Sequence, residues 1–189
     1  MHFTLCDYMM EIVQNAVESS APMIRIRCDQ SPEKCLFRVE DNGCGMTPAQ
    51  LHACQNPFAG DSKKHLGRKM GLGIPLLVHC VTTAGGRWNV DSEVGRGTRI
   101  EAEFDLRHLD TPPLGDLVDL WVSALTLAGD YEMIVDRTCH DFATSALRGY
   151  TLSRSEIRAV LGDLNTASTL TVLRSFISSH EAELPLLME

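Results

Sequence analysis

The feature that most constrains this chain is a change of hydrophobic period within its first forty residues. Leu5, Met9, Ile12, Val13 and Ala16 recur every three to four residues, with Thr4 placed to cap a helix and Pro22 to end it. Asp7, Glu11, Asn15 and Glu18 lie on the other face. Directly afterwards Ile24, Ile26 and Cys28 alternate with Arg25 and Arg27, and Cys35, Phe37 and Val39 alternate with Leu36, Arg38 and Glu40. Those runs are two strands, joined as a hairpin through "DQSPEK".

The second strand runs into "FRVEDNGCGM", which has two readings. Asn42-Gly43 is an ordinary turn signal. Alternatively Asp41, Gly43 and Gly45 wall a ligand pocket, the acid aimed inward and the glycines keeping side chains clear. The short "TPAQLHACQ" behind it reads as a helix capped by Thr47 with Pro48 at its first position, so the Asn-Gly sits at a strand exit. From Asn56 to Met70 the chain has little apolar period and carries Lys63, Lys64, Arg68 and Lys69, the pattern of a basic loop. "GLGIPLLVHCVTTA" then becomes helical, and two strands follow, one around Trp88 and Val90 and one over "GTRIEAEFDL".

"HLDTPPLG" marks a boundary, giving a first domain at 1–109 and an accessory region at 110–189. The accessory region reads as a helix over about 114–128, a hairpin over 131–146, a helix opened by the capping box Ser153 to Glu156, and a last helix after Asn165.

Composition closes several doors. A net charge of −8 disfavours a general nucleic-acid or anionic-membrane binder. No run has the length of a membrane span and the N-terminus does not read as a signal peptide, so a cytoplasmic protein is expected. The 7 cysteines form no Cys-x-x-Cys pair, which points to reduced, buried thiols rather than a metal finger.

Glu11 and Asn15 stand four apart, on one helix face. A carboxylate there can take a proton from a water, and an amide oxygen suits a hard cation such as Mg²⁺. A solvated acidic face explains the same pair. Gly71-Leu72-Gly73 at a helix start, preceded by the basic loop, makes an anion site at the positive helix end, although a lone Gly-x-Gly is more often a turn.

Taken in order, however, these pieces resemble one family. "MEIVQNAVESSAP", "DNGCGM", "GRKMGLGI" and "GRGT" look like the four successive boxes of the ATP-binding domain shared by DNA gyrase, the ninety-kilodalton heat-shock chaperones, histidine kinases and MutL, the GHKL superfamily with the Bergerat fold. The chain also resembles small stand-alone GHKL ATP-binding proteins of anaerobic bacteria, which share its "GLGIPLL" run and its "PLGD" start to a helical tail. The resemblance implies an α+β fold: a two-layer sandwich with helices on one face of a mixed, mostly antiparallel sheet, plus a mainly helical C-terminal extension.

The resemblance also implies roles. Glu11 would activate water, and Asn15 would ligate Mg²⁺. Asp41 would accept from the adenine amino group, Gly43 and Gly45 would give the base room, and Met46 would pack on it. Lys63, Lys64, Arg68 and Lys69 would belong to a lid over ATP, with Gly71, Leu72, Gly73 and Ile74 contacting phosphates through the backbone. Thr98 would complete the adenine network.

Two positions depart from the family pattern. Lys69 stands where the second box often has its first glycine, and Glu18 where gyrase and MutL usually have Asp. Phosphoacceptor helices and a transducer domain are not expected within this chain. Three functions remain: a slow Mg²⁺-dependent ATPase whose lid states regulate a partner protein or a second copy in a homodimer, a protein kinase acting in trans, or a nucleotide-sensing module. The last has no need of Glu11. No nucleic-acid or membrane partner is expected.

Overall fold

The computed structural model describes residues 4–55, 73–141 and 146–185. Among them the order is α1 (Leu5–Glu18), β1 (Met23–Gln30), β2 (Lys34–Asp41), α2 (Pro48–Gln55), α3 (Gly73–Thr83), β3 (Arg87–Glu93), β4 (Gly97–Asp105), α4 (Leu117–Thr126), β5 (Glu132–Asp141), β6 (Ala146–Ser153), α5 (Arg154–Leu161) and α6 (Ala167–Ala182). The six strands form one sheet in the order β3-β4-β2-β1-β5-β6. Every pairing is antiparallel except that of β1 with β5. This is an α+β fold with a mixed, mostly antiparallel sheet.

One face of the sheet is apolar and carries the helices. Ile24, Ile26, Phe37, Val39, Ile100, Phe104, Met133 and Val135 alternate inward and are buried beneath α1, whose Leu5, Met9, Ile12 and Val13 are no more than 1% exposed. Burial of side chains of this size contributes about 1.5–3 kcal/mol each, which holds α1 on the sheet. The other face is charged and open. Lys34 meets Glu103 at 2.8 Å and Arg25 meets Asp136 at 2.8 Å across neighbouring strands. Such exposed pairs contribute little to stability and serve mainly to keep that face wet.

The helix starts match their sequence signals. Thr4 caps α1, and Asp7 completes the capping box by accepting from the Thr4 N–H at 2.9 Å. Thr47 and Gln50 form the same device at α2. The C-terminal region differs from its sequence reading in one respect. The segment expected to hold a whole hairpin contains β5, and its partner β6 runs on to Ser153. β5 then pairs along the full length of β1, from Met23 with Glu132 to Gln30 with Cys139. The two strands after residue 110 thus extend the sheet of the first hundred residues.

Arg154 ties this extension down. The residue is 6% exposed, its Nε, Nη1 and Nη2 donate to the carbonyls of Leu125, Tyr131, Leu127 and Gly129, and its guanidinium lies 4.1 Å from the centre of the Tyr131 ring. Those carbonyls line the turn from α4 to β5, where no strand or helix partner supplies donors. A planar fork satisfies them together, and an ammonium does not. Arg154→Lys is expected to lower the unfolding free energy by about 2–3 kcal/mol, and Arg154→Ala by at least as much, measured by urea denaturation. Wild-type stability in Arg154→Ala would show that the turn holds itself.

Candidate nucleotide site

The site is built along α1. Glu11 and Asn15 are half-buried at the edge of its apolar face, one turn apart. Against them sits Gly73, the first residue of α3: a Cβ placed on it would stand 3.0 Å from Asn15 Nδ2 and 3.4 Å from Glu11 Oε2. The start of α3, the positive end of its dipole, therefore abuts the acid-amide pair. Ile74, the next residue, is buried.

Asp41 marks the other end. It is the last residue of β2 and pairs across to Thr98 of β4. Its Oδ1 accepts from the Gly43 N–H at 2.8 Å and from Ser19 Oγ at 3.1 Å, and the Thr98 N–H also donates to the carboxylate. Burial pushes the Asp41 pKa up, and these three donors only partly pull it back. The turn after Asp41 has no room for a side chain at positions 43 and 45. A Cβ on Gly43 would fall 2.0 Å from Ser19 Oγ, and Gly45, at φ +63°, would place one 2.0 Å from the Glu93 carbonyl. The glycines of this box are thus required by packing at 43 and by backbone conformation as well at 45.

Ser92 closes the ring. Its hydroxyl accepts from the Met46 N–H at 2.9 Å, donates to the Gly97 carbonyl at 3.0 Å, and lies 2.9 Å from Thr98 Oγ1. Met46 is thereby linked to Thr98 through a residue the motif reading did not single out. Ser19, one helical repeat beyond Asn15, is the second such residue. Its signal was the i, i+4, i+8 spacing from Glu11; Ser92 could have been found by counting the β3–β4 register, which sets it opposite Thr98.

Glu11, Asn15 and Gly73 thus cluster at one end of the site, and Asp41, Gly43, Gly45, Met46 and Thr98 at the other. Along α1, Ser19 lies about 12 Å from Glu11 and about 6 Å from Asn15. Lys63, Lys64, Arg68, Lys69, Gly71 and Leu72 lie outside the described residues. No three His, Cys, Asp or Glu side chains converge as a metal cage among the described residues. Two cavities lie elsewhere: one of about 500 Å³ beside Gln30, Arg137 and Glu181 at the far end of β1, and one of about 410 Å³ by Arg25, Arg27 and Gly149.

An acid-amide pair on α1 thus lies under the start of α3, and a half-buried acid at the end of β2 sits in a glycine turn beside the end of α1. The chain belongs to the family of histidine kinase-, DNA gyrase B- and HSP90-like ATPases, whose model matches residues 4–108. It is 29% identical over 105 residues to a putative sensor protein of Shewanella frigidimarina, covering 54% of this chain and 16% of that protein. It is also 29% identical over 108 residues to the cell-division control histidine kinase PdhS of Brucella anthropi, covering 50% of this chain and 10% of that one. The match therefore spans a small part of these curated relatives. Among solved structures, the N-terminal domain of a DNA repair protein superposes with a TM-score of 0.52 at 14% identity, covering 88% of this chain and 58% of that one. At that identity the likeness is one of fold. No helix among the described residues is long and apolar enough to cross a membrane.

The raised Asp41 pKa has a consequence for stability. Protonated Asp41 favours the folded chain; that advantage is complete below the ordinary carboxylate pKa and is lost as pH rises through the folded-state value. Once ionised, the half-buried acid opposes folding. Asp41→Asn removes the charge and keeps an acceptor for Gly43, so its melting temperature at pH 7.5 is expected to equal or exceed that of the wild type. The difference should shrink toward pH 4.

Proposed function

We propose that this chain binds ATP with Mg²⁺ and hydrolyses it slowly, and that the nucleotide state regulates a partner protein. The observation that carries this is the placement of Gly73 against Glu11 and Asn15, one to two turns along α1 from the end that meets Asp41. Two chemically different ends on one helix suit a ligand with a polyphosphate at one end and a base at the other. The amino group of adenine donates to Asp41, whose desolvated carboxylate is a strong acceptor. The phosphates approach the start of α3, where backbone N–H groups face them. Glu11 takes the proton from the attacking water, aligned with the terminal phosphate by the helix that also carries Asn15.

The donor set fits a hard cation. Asn15 offers an amide oxygen, and Mg²⁺ commonly uses one or two protein ligands together with substrate phosphates and water, so a protein-only cage is not needed. Bound there, Mg²⁺ would offset the negative charge of the phosphates.

A second reading has its own support in the similarity to a sensor protein and a cell-division histidine kinase. In it Glu11 deprotonates, or the site simply presents ATP to, a side chain of another protein, and the chain is a kinase acting in trans. Residues 110–189 then serve as an accessory surface for that protein or for a second copy in a homodimer. The site is the same in both readings and only the nucleophile differs.

Phosphate release and ATP affinity separate the roles. Glu11→Ala is expected to lower turnover about 100-fold while leaving the ATP dissociation constant within about threefold. Asp41→Asn should weaken ATP binding about tenfold or more, since an amide at that position presents a donor or a weaker acceptor to the base. Removing Mg²⁺ with EDTA should abolish turnover in every variant. Unchanged hydrolysis by Glu11→Ala would sink the general-base role, and transfer of labelled phosphate from ATP to a co-purified protein, in place of release, would favour the kinase.

A further inference from the structure

The geometry points to Ser19 as a positioning residue that sets base specificity, by holding the Asp41 carboxylate in the one orientation that accepts an amino group. This rests on the reading of Asp41 as the adenine acceptor. Three separate parts of Ser19 engage the turn after β2. Its hydroxyl meets Asp41 Oδ1 at 3.1 Å, its carbonyl accepts from the Cys44 N–H at 3.1 Å, and its side chain occupies the space that a Cβ on Gly43 would need. The turn that walls the base end of the site is therefore shaped against one serine at the end of α1.

The hydroxyl has a second acceptor. Ser19 Oγ lies 2.7 Å from the Ala16 carbonyl, one of the last carbonyls of α1, which lack partners further along the helix. A serine carries one proton, so the two acceptors share or compete for it. An ionised carboxylate is the stronger acceptor, and the carbonyl end of the helix fixes where the hydroxyl oxygen sits. Gly43 N–H and Ser19 Oγ both address Oδ1, so these two donors fix the rotation of the carboxylate and neither engages Oδ2.

The chain direction keeps Ser19 at this spot. Ser20 follows at φ +61°, a left-handed conformation that ends the helix abruptly and that serine adopts less readily than glycine. Glu11, Asn15 and Ser19 thus form one stripe down α1, and the base end of the site is registered to the phosphate end through a single rigid element.

Adenine carries an amino group where hypoxanthine carries an oxo group, so the ratio of ATP to inosine triphosphate affinity reads the orientation of Asp41. Both dissociation constants are to be measured in the full chain for wild type, Ser19→Ala and Ser19→Thr, with thermal melts as a check of folding. The ratio is expected to fall about five- to tenfold in Ser19→Ala and to return to within about twofold of wild type in Ser19→Thr, which keeps the hydroxyl. A ratio unchanged in Ser19→Ala overturns the role, and so does an equal loss for both nucleotides, the mark of a structural effect alone. Should the alanine chain fail to fold, Ser19→Cys, close in volume but a weak donor, is read in the same way. A wild type that binds both nucleotides alike removes the Asp41 reading itself and the role of Ser19 with it.

Discussion

The packing of α1 onto the sheet is the interaction on which the rest depends. Leu5, Met9, Ile12, Val13 and Ala16 fill its buried stripe, and together with Ile24, Ile26, Phe37 and Val39 they form the centre of the core. Burial of those side chains fixes the rotation of the helix about its own axis. Glu11, Asn15 and Ser19 sit one position off that stripe, half-buried, where small rotations would move them by ångströms. Their placement is a by-product of apolar packing, which is stiff because well-filled cores tolerate few alternative arrangements.

Against that stiff frame the site itself is unfavourable. Asp41 gives up solvent, which raises its pKa, and among the described residues it is compensated by Gly43, Ser19 and Thr98. Gly45 adopts a backbone conformation that side-chain-bearing residues rarely take, and Ser20 takes a similar one without being glycine. Costs of this kind persist only where the surroundings over-determine them. Here the over-determination comes from α1 on one side and the β3–β4 hairpin on the other, with Ser92 linking Met46 to Thr98.

Much of this was legible in the sequence because it is local. The caps at Thr4, Thr47 and Ser153, the alternation in β1, β2 and β4, and the four-residue spacing of Glu11 and Asn15 are all short-range patterns. What stayed hidden was non-local or weakly patterned. The strand β6 buries Leu152 among residues such as Leu147, Arg148 and Gly149 that are exposed or lack a side chain, so no period of two stands out. The parallel pairing of β1 with β5 joins segments about a hundred residues apart, which no local rule reports. Ser19 and Ser92 carry ordinary side chains whose meaning lies wholly in what the fold brings to them. In "FRVEDNGCGM" the turn is readable in place, whereas its close contacts with Ser19, Glu93 and Thr98 are non-local.

The segment around Pro112 and Pro113, which reads as a boundary, holds the start of α1. The carbonyls of Pro113 and Leu114 accept from the N–H groups of Leu5 and Cys6 at 2.9 Å each. These are among the first N–H groups of α1, which have no partner inside the helix. Proline suits the position because it offers a carbonyl while its own missing N–H leaves nothing to satisfy. Gly115, at φ +90°, then packs so closely that a Cβ would lie 2.7 Å from Thr4 Oγ1. α1 is therefore held at its start by the chain that leads into the C-terminal region and at its end by Asp41 and Cys44. Because β5 also joins β1 directly, and Glu132 N–H donates to the Pro22 carbonyl at 2.9 Å just beyond Ser19, the C-terminal region touches the frame of the site at both ends. The C-terminal region is thus joined by backbone hydrogen bonds to both ends of the helix that carries Glu11, Asn15 and Ser19.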